Sequence, residues 1–225
     1  MAALITTLID KVDVSESVCD QIAAILALES RNQETLAAAD SQDPRLWALK
    51  VFTDHEQPWE YFQDPPATQE DSPILVNVGW DRETFDRARS NVVKLQHATA
   101  VYNVDVVACG LAHPDNSGGH IPSDRAAAIA AKRGLRWVRN ILMSAQYIHL
   151  GLAGVVRDRW PVEASQMRVK GAAQHIAVAR LVLEVTFSEH SPQIVTDTIE
   201  TLAIKFIRAS DDSILTEHGV FEEDP

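Results

Sequence analysis

Residues 175–189 alternate almost without a break. Ala177, Ala179, Leu181, Leu183, Val185 and Phe187 fall on one side, and Arg180, Glu184 and Thr186 on the other. A period of two over that length specifies a strand with one buried face and one wetter face. Such a strand belongs in an antiparallel sheet whose apolar side is covered by another layer. Residues 99–109 repeat the pattern: Ala100, Tyr102, Val104, Val106 and Ala108 share a side, and Asn103 and Asp105 lie opposite.

The cover is supplied by helices. Residues 123–145 carry Ala127, Ala131, Leu135, Val138, Leu142 and Ala145 at spacings of three and four, with Arg125, Lys132, Arg136 and Arg139 on a separate outer stripe. That is an amphipathic helix. Gly134 inside it costs up to ~1 kcal/mol relative to Ala and marks a place where another element can approach. The first forty residues also read as helical, with Leu4, Ile5, Leu8 and Ile9 forming a short amphipathic segment. Ser17 with Asp20 resembles a capping box before Val18, Ile22, Ile25 and Leu26, with Glu29 at the edge of the buried stripe.

Residues 46–52 and the run Ile74, Val76, Val78 read as strands. Phe85, Ala88, Val92 and Leu95 suggest a short helix between strands. Residues 198–208 form a last strand with Leu202, Ile204 and Phe206 inward and Lys205 outward; Pro192 and the length of the preceding segment exclude a tight two-residue hairpin. Two stretches lack any period: the acidic, proline-bearing loop 53–72 and an irregular connection at 155–170. The reading is a single α+β domain over 1–225, an antiparallel sheet with helices packed on one face and long loop insertions.

Charge narrows the function classes. The chain has 20 basic and 32 acidic residues, a net −12, which argues against non-specific nucleic-acid binding through phosphate contacts. At 46% hydrophobic and 23% charged, its 225 residues can bury a core, which excludes disorder and a small disulfide-stapled scaffold. The balance is uneven: residues 123–170 hold nine Lys or Arg against three Asp or Glu, leaving eleven basic and 29 acidic residues elsewhere. A basic helix and connection in an acidic chain can pair with the acidic part of a neighbouring copy, or be balanced within one molecule. Cys19 and Cys109 have no closely spaced partner and read as small buried hydrophobes in a reducing compartment. With no basic leader and no apolar run of the ~18–20 residues a membrane span needs, a soluble intracellular product is expected, without membrane contact.

Catalytic signatures are scarce. There is no GxxxxGK[ST], GxGxxG or GxSxG, and neither cysteine has a defensible histidine partner. His113, Asp115 and His120, with Asp124 nearby, have the chemistry for zinc or manganese but not a recognised ligand spacing; an exposed polar loop is the competing interpretation. Asp54, His55 and Glu56 are adjacent and point apart in an extended chain, so they read as solubilising. No catalytic residue, cofactor or metal is assigned.

The C-terminal run HIAVARLVLEVTFSEHSPQ, followed by IETLAIKFIRA, resembles the late strand pair of tail-terminator (tail-completion) proteins of tailed bacteriophages. RGLRWVRNILMSAQYIHLGLAGVVRDRWP and ETFDRARSNVVKLQHATAVYNVDVVACG resemble segments of uncharacterised contractile-tail phage proteins. The likeness covers about half the chain, residues 80–208. It implies a structural virion protein at the tail–neck junction, assembled in the host cytoplasm. This would be a homohexameric ring that caps the tail tube, ends elongation, meets the sheath protein and joins the head-closure or connector protein, with DNA passing through its lumen. A head-closure or other neck adaptor is the alternative, followed by a host-derived adaptor and a small metal-dependent enzyme around His113, Asp115 and His120. Subunit or partner contacts are expected at Trp59, Tyr61 and Phe62 in the loop and at Arg136, Arg139, Arg157 and Arg159.

Overall fold

The computed structural model describes residues 12–62, 73–90, 95–115, 117–167 and 175–190, and the backbone of 204–207 and 214–218. The first helix, α1, is Val14–Ala39. Its capping box is Asp13 with Glu16: the Asp13 carboxylate accepts from the Ser15 N–H, and the Glu16 side chain accepts from the Asp13 N–H. The expected Ser17–Asp20 box does not form, because the same chemistry is satisfied four residues earlier; the Ser17 hydroxyl donates to the Asp13 carbonyl instead. Val18, Ile22, Ile25 and Leu26 are buried as the spacing requires. The segment around Leu4–Ile9 lies outside the described residues.

A 3-10 turn at Pro44–Trp47 leads to β1 (Leu49–Thr53), and a second at Pro58–Phe62 precedes β2 (Ile74–Phe85). Next come β3 (Leu95–Cys109), a two-stranded hairpin of β4 (His113–Pro114) and β5 (His120–Ile121), and helix α2 (Ser123–Leu142). A 3-10 turn at Ala145–Tyr147 joins α2 to β6 (Val156–Met167), which is followed by β7 (Ile176–His190). The main sheet runs β1-β2-β3-β7-β6; β1 is parallel to β2 and every other pair is antiparallel. This is the expected α+β architecture. β8 (Ile204–Ile207) pairs with β9 (Ile214–His218) in a separate two-stranded sheet, so the last strand does not extend the main one. The inward positions expected at Leu202, Ile204 and Phe206 lie outside the described side chains.

Two expectations are overturned. The helix expected over Phe85, Ala88 and Leu95 is the end of a β2–β3 hairpin: β2 continues through a bulge at Trp80/Arg82 to Phe85, which pairs with Ala98. Asp86 then turns the chain, its carboxylate accepting from the Ala88 and Arg89 N–H groups. Val92 lies outside the described residues. Cross-strand pairing here overrides a local spacing of three and four. The connection expected to be irregular is β6, paired with β7 along its length, with bulges at Val156/Asp158 and Pro161/Glu163. Each bulge breaks the period of two, and Pro161 is tolerated because β6 is an edge strand.

Both helices cover one face of the sheet. Val18, Ile22 and Leu26 of α1 and Val138 and Leu142 of α2 pack on Val76, Val78, Tyr102, Val104 and Leu183. Burying each such aliphatic side chain is worth about 1.5–3 kcal/mol. The N-terminal half of α2 sits closer, Ala127 and Ala131 on Ala108, Ala177 and Ala179. Gly110 and Gly134 permit that approach. A Cβ on Gly110 would lie 2.1 Å from the Ser123 carbonyl oxygen, and one on Gly134 would lie 2.7 Å from methyls of Ile74 and Val106. Cys19 and Cys109 are buried and neither is in a disulfide; burial raises both thiol pKa values, Cys19 to about 12.

Candidate interaction surfaces

His113 and His120 stand on the β4–β5 hairpin, where His113 pairs with Ile121 and His120 with Pro114. Asp115 serves its own loop: its carboxylate accepts from the Ser117 N–H and hydroxyl, each at 2.9 Å, and from the Gly119 N–H. Those bonds hold its carboxyl below the ordinary range. Among the described residues no group of three or more His, Cys, Asp or Glu is placed to hold a metal ion. Asp54, His55 and Glu56 are exposed. The Asn77 amide clamps the backbone of His55, accepting from its N–H at 3.0 Å and donating to its carbonyl at 2.9 Å.

The loop aromatics divide between core and surface. Phe62 is 3% exposed and packs with Leu75, Val107, Cys109 and Val178 on the sheet face away from the helices. Trp59 is half-buried against the same cluster. Tyr61 is 48% exposed, with the Lys50 ammonium 3.9 Å from its ring centre. So this turn mainly seals one end of the open face. Farther along that face, Asp105 and Arg180 stand opposite each other on β3 and β7 and form a two-pronged ion pair, at 2.6 and 2.7 Å.

The four arginines also separate. Arg136 and Arg139 are exposed on the outer stripe of α2, and their guanidinium groups have no partner among the described residues. Arg157 is exposed on β6 with its Nη2 3.4 Å from His97 Nε2; His97 Nδ1 lies 2.9 Å from Ser188 Oγ. Arg159 is only 5% exposed. Its Nε donates to the Leu142 carbonyl and its Nη2 to the Ser144 carbonyl at 2.6 Å. It caps the last carbonyl of α2 and ties it to the Ser144 carbonyl of the following turn, so it is a structural clasp buried inside the molecule.

Sequence reasoning missed an exposed apolar pair at the edge of the sheet. Trp160 and Val162 on β6 are 64% and 57% exposed, at the edge of the sheet order. The only signal was a tryptophan beside a proline in a charged stretch. It also missed a cleft of about 560 Å³ between α1 and α2, lined by Glu29, Gln33, Trp47, Arg136, Asn140 and Tyr147 among others. At its margin Trp47 and Trp137 stack at 4.9 Å, with the Arg133 guanidinium 4.4 Å from the Trp137 ring centre. The Tyr147 hydroxyl donates to Glu29, a bond that, with burial, raises the phenol pKa to about 12. No helix among the described residues is long and apolar enough to cross a membrane. Neither the known protein-family models nor the curated proteins yield a match to this chain.

Proposed function

We propose that this chain is a structural virion protein, a tail terminator of a contractile-tailed bacteriophage, that acts as a closed ring of copies, six by its resemblance to that group. The observation that supports this reading is β6. A 12-residue strand stands at the edge of the sheet among the described residues, and Trp160 and Val162 stand exposed on it. Exposed apolar side chains on an edge strand offer a place for another chain to pair, and the two bulges and Pro161 confine such pairing to short stretches of β6. Pairing β6 of one copy with a different surface of the next is a heterologous contact, which closes into a ring or runs on as a filament. In this reading the ring caps the tail tube, contacts the sheath and presents its other face to the head connector. The chain works by shape, with no catalysis, cofactor or metal. A neck adaptor next to the terminator would use the same edge.

Native mass measurement with negative-stain imaging over a concentration series tests the reading, alone and with tail tubes present. A six-fold ring with a central hole is expected, seated on tube ends. Trp160→Glu with Val162→Lys abolishes it while leaving the circular dichroism of the monomer unchanged. Rings that survive this double substitution, or a chain that neither closes a ring nor binds tube ends, would overturn it.

A further inference from the structure

The cleft between α1 and α2 is built from four elements that side-chain contacts hold in place. Ser30 of α1, 2% exposed, accepts from the Leu49 N–H at 2.8 Å and so fixes the start of β1 against the helix. Arg133 of α2 donates to the Leu46 carbonyl at 2.8 Å, and the Trp47–Trp137 stack joins the same two segments. Tyr147, in the 3-10 turn after α2, reaches back to Glu29 of α1. These clasps preform the cleft. Its volume of about 560 Å³ lies within the roughly 300–1,000 Å³ of small-molecule sites.

The lining combines two chemistries. Trp47, Leu49, Trp137 and Ile141 supply an apolar wall. Gln33, Arg136 and Asn140 line it with side chains that make no hydrogen bond or ion pair among the described residues. Its two charged groups, Glu29 and Arg136, are not equivalent. Both carboxylate oxygens of Glu29 are engaged, one by the Tyr147 hydroxyl and the other by the Asn32 amide at 3.1 Å. Arg136 is unpaired, and its nearest effect is on another cation: burial, and then the charge of Arg136, lower the pKa of Arg133. An uncompensated guanidinium thus stands beside an apolar wall.

We propose that this cleft binds a small aromatic carboxylate, its carboxylate on Arg136 and its ring against the indoles of Trp47 and Trp137. A guanidinium grips a carboxylate through two parallel N–H donors, and indole walls favour flat apolar rings. Asn140, one turn beyond Arg136 on the same side of α2, supplies a further donor. One free guanidinium matches a monoanion; a phosphate would bring a second charge into a cleft whose other charged group is the Glu29 carboxylate. A cationic ring would meet Arg136 as a like charge. The site lies on the helix layer, away from β6, and does not depend on the ring reading.

Saturation-transfer NMR of the full chain, titrated with indole-3-acetate and with benzoate, tests this in either assembly state. Both acids are expected to bind, indole-3-acetate with a dissociation constant below about 1 mM. Indole-3-acetamide and tryptamine keep the ring and replace the carboxylate by a neutral amide or an ammonium; each is expected to bind about tenfold more weakly or worse. Arg136→Gln removes the preference for acid over amide. Arg139→Gln, at an exposed arginine outside the cleft, leaves that preference intact, and a thermal melt checks that both variants fold. The proposal is overturned by no saturation with either acid up to about 10 mM, by equal affinity for acid and amide, or by a preference that survives Arg136→Gln. Tighter binding of phenyl phosphate than of benzoate overturns it as well.

Discussion

Glu83 is the residue whose surroundings most oppose its chemistry. It sits opposite Ala100 on the helix side of the sheet, and its Oε1 is buried without a hydrogen-bond partner among the described residues. Burial first, then the neighbouring carboxylates of Asp13 and Glu189, push its pKa up to about 7. The unfolded chain titrates this group near ~4.3, so the folded state holds the proton more tightly. The stabilisation is fully present below that value and is lost as pH rises through about 7. Urea midpoints measured at pH 5 and pH 8 should therefore fall with pH, and Glu83→Gln should flatten the fall and raise stability at pH 8. An unchanged slope in Glu83→Gln would remove Glu83 as its source. Nothing in the sequence marks this residue, because the carboxylates beside it come from the N-cap of α1 and from β7. Arg159 is a similar case: among four arginines selected for charge, only the fold shows that one is spent on the carbonyls of Leu142 and Ser144.

At the scale of elements, α2 is a wedge whose two ends are set by different small residues. Gly110→Ala would drive a methyl into backbone atoms, 2.1 Å from the Ser123 carbonyl oxygen and 2.2 Å from the Ala127 nitrogen, and neither can yield without moving the helix. Gly134→Ala meets only side-chain methyls, at 2.7 Å, and recovers some helix propensity. Denaturant midpoints should show Gly134→Ala destabilised by about 1–2 kcal/mol and Gly110→Ala by more than that. Equal or reversed costs would mean that the helix can shift freely on the sheet. At the N-terminus of α1, Asp13→Ala should cost about 0.5–2 kcal/mol through loss of its cap, whereas Ser17→Ala should cost much less. Helix α2, β3 and β7 were legible because each presents a long amphipathic period to one large core. The hairpin end at Phe85 and the whole of β6 were not, because short or bulged strands carry no period and are stabilised by pairing with neighbours distant in sequence.

For the whole molecule, the sheet order places β3 and β7 at the centre and β1 and β6 at its edges. Hydrogen exchange should be slowest for β3 and β7, since their amides are released only when the sheet opens. The outward amides of β6 should exchange quickly in the monomer and become protected in the ring. If they are equally slow in both states, the edge is not where copies join. The architecture places three different surfaces on one small domain: the β6 edge, the charged helix layer and the open sheet face capped in part by Phe62. By itself the sequence determined the α+β class, the buried faces of α1, α2, β3 and β7, and the concentration of positive charge around α2. These follow from periodicity and composition, which are local properties of the chain. Tertiary structure alone decided that β6 is an edge strand, that Trp160 is exposed while Phe62 and Arg159 are buried, and that α1 and α2 leave a cleft between them. Exposure and adjacency depend on which distant segments meet, and pairing energies between those segments outweigh the local preferences of either.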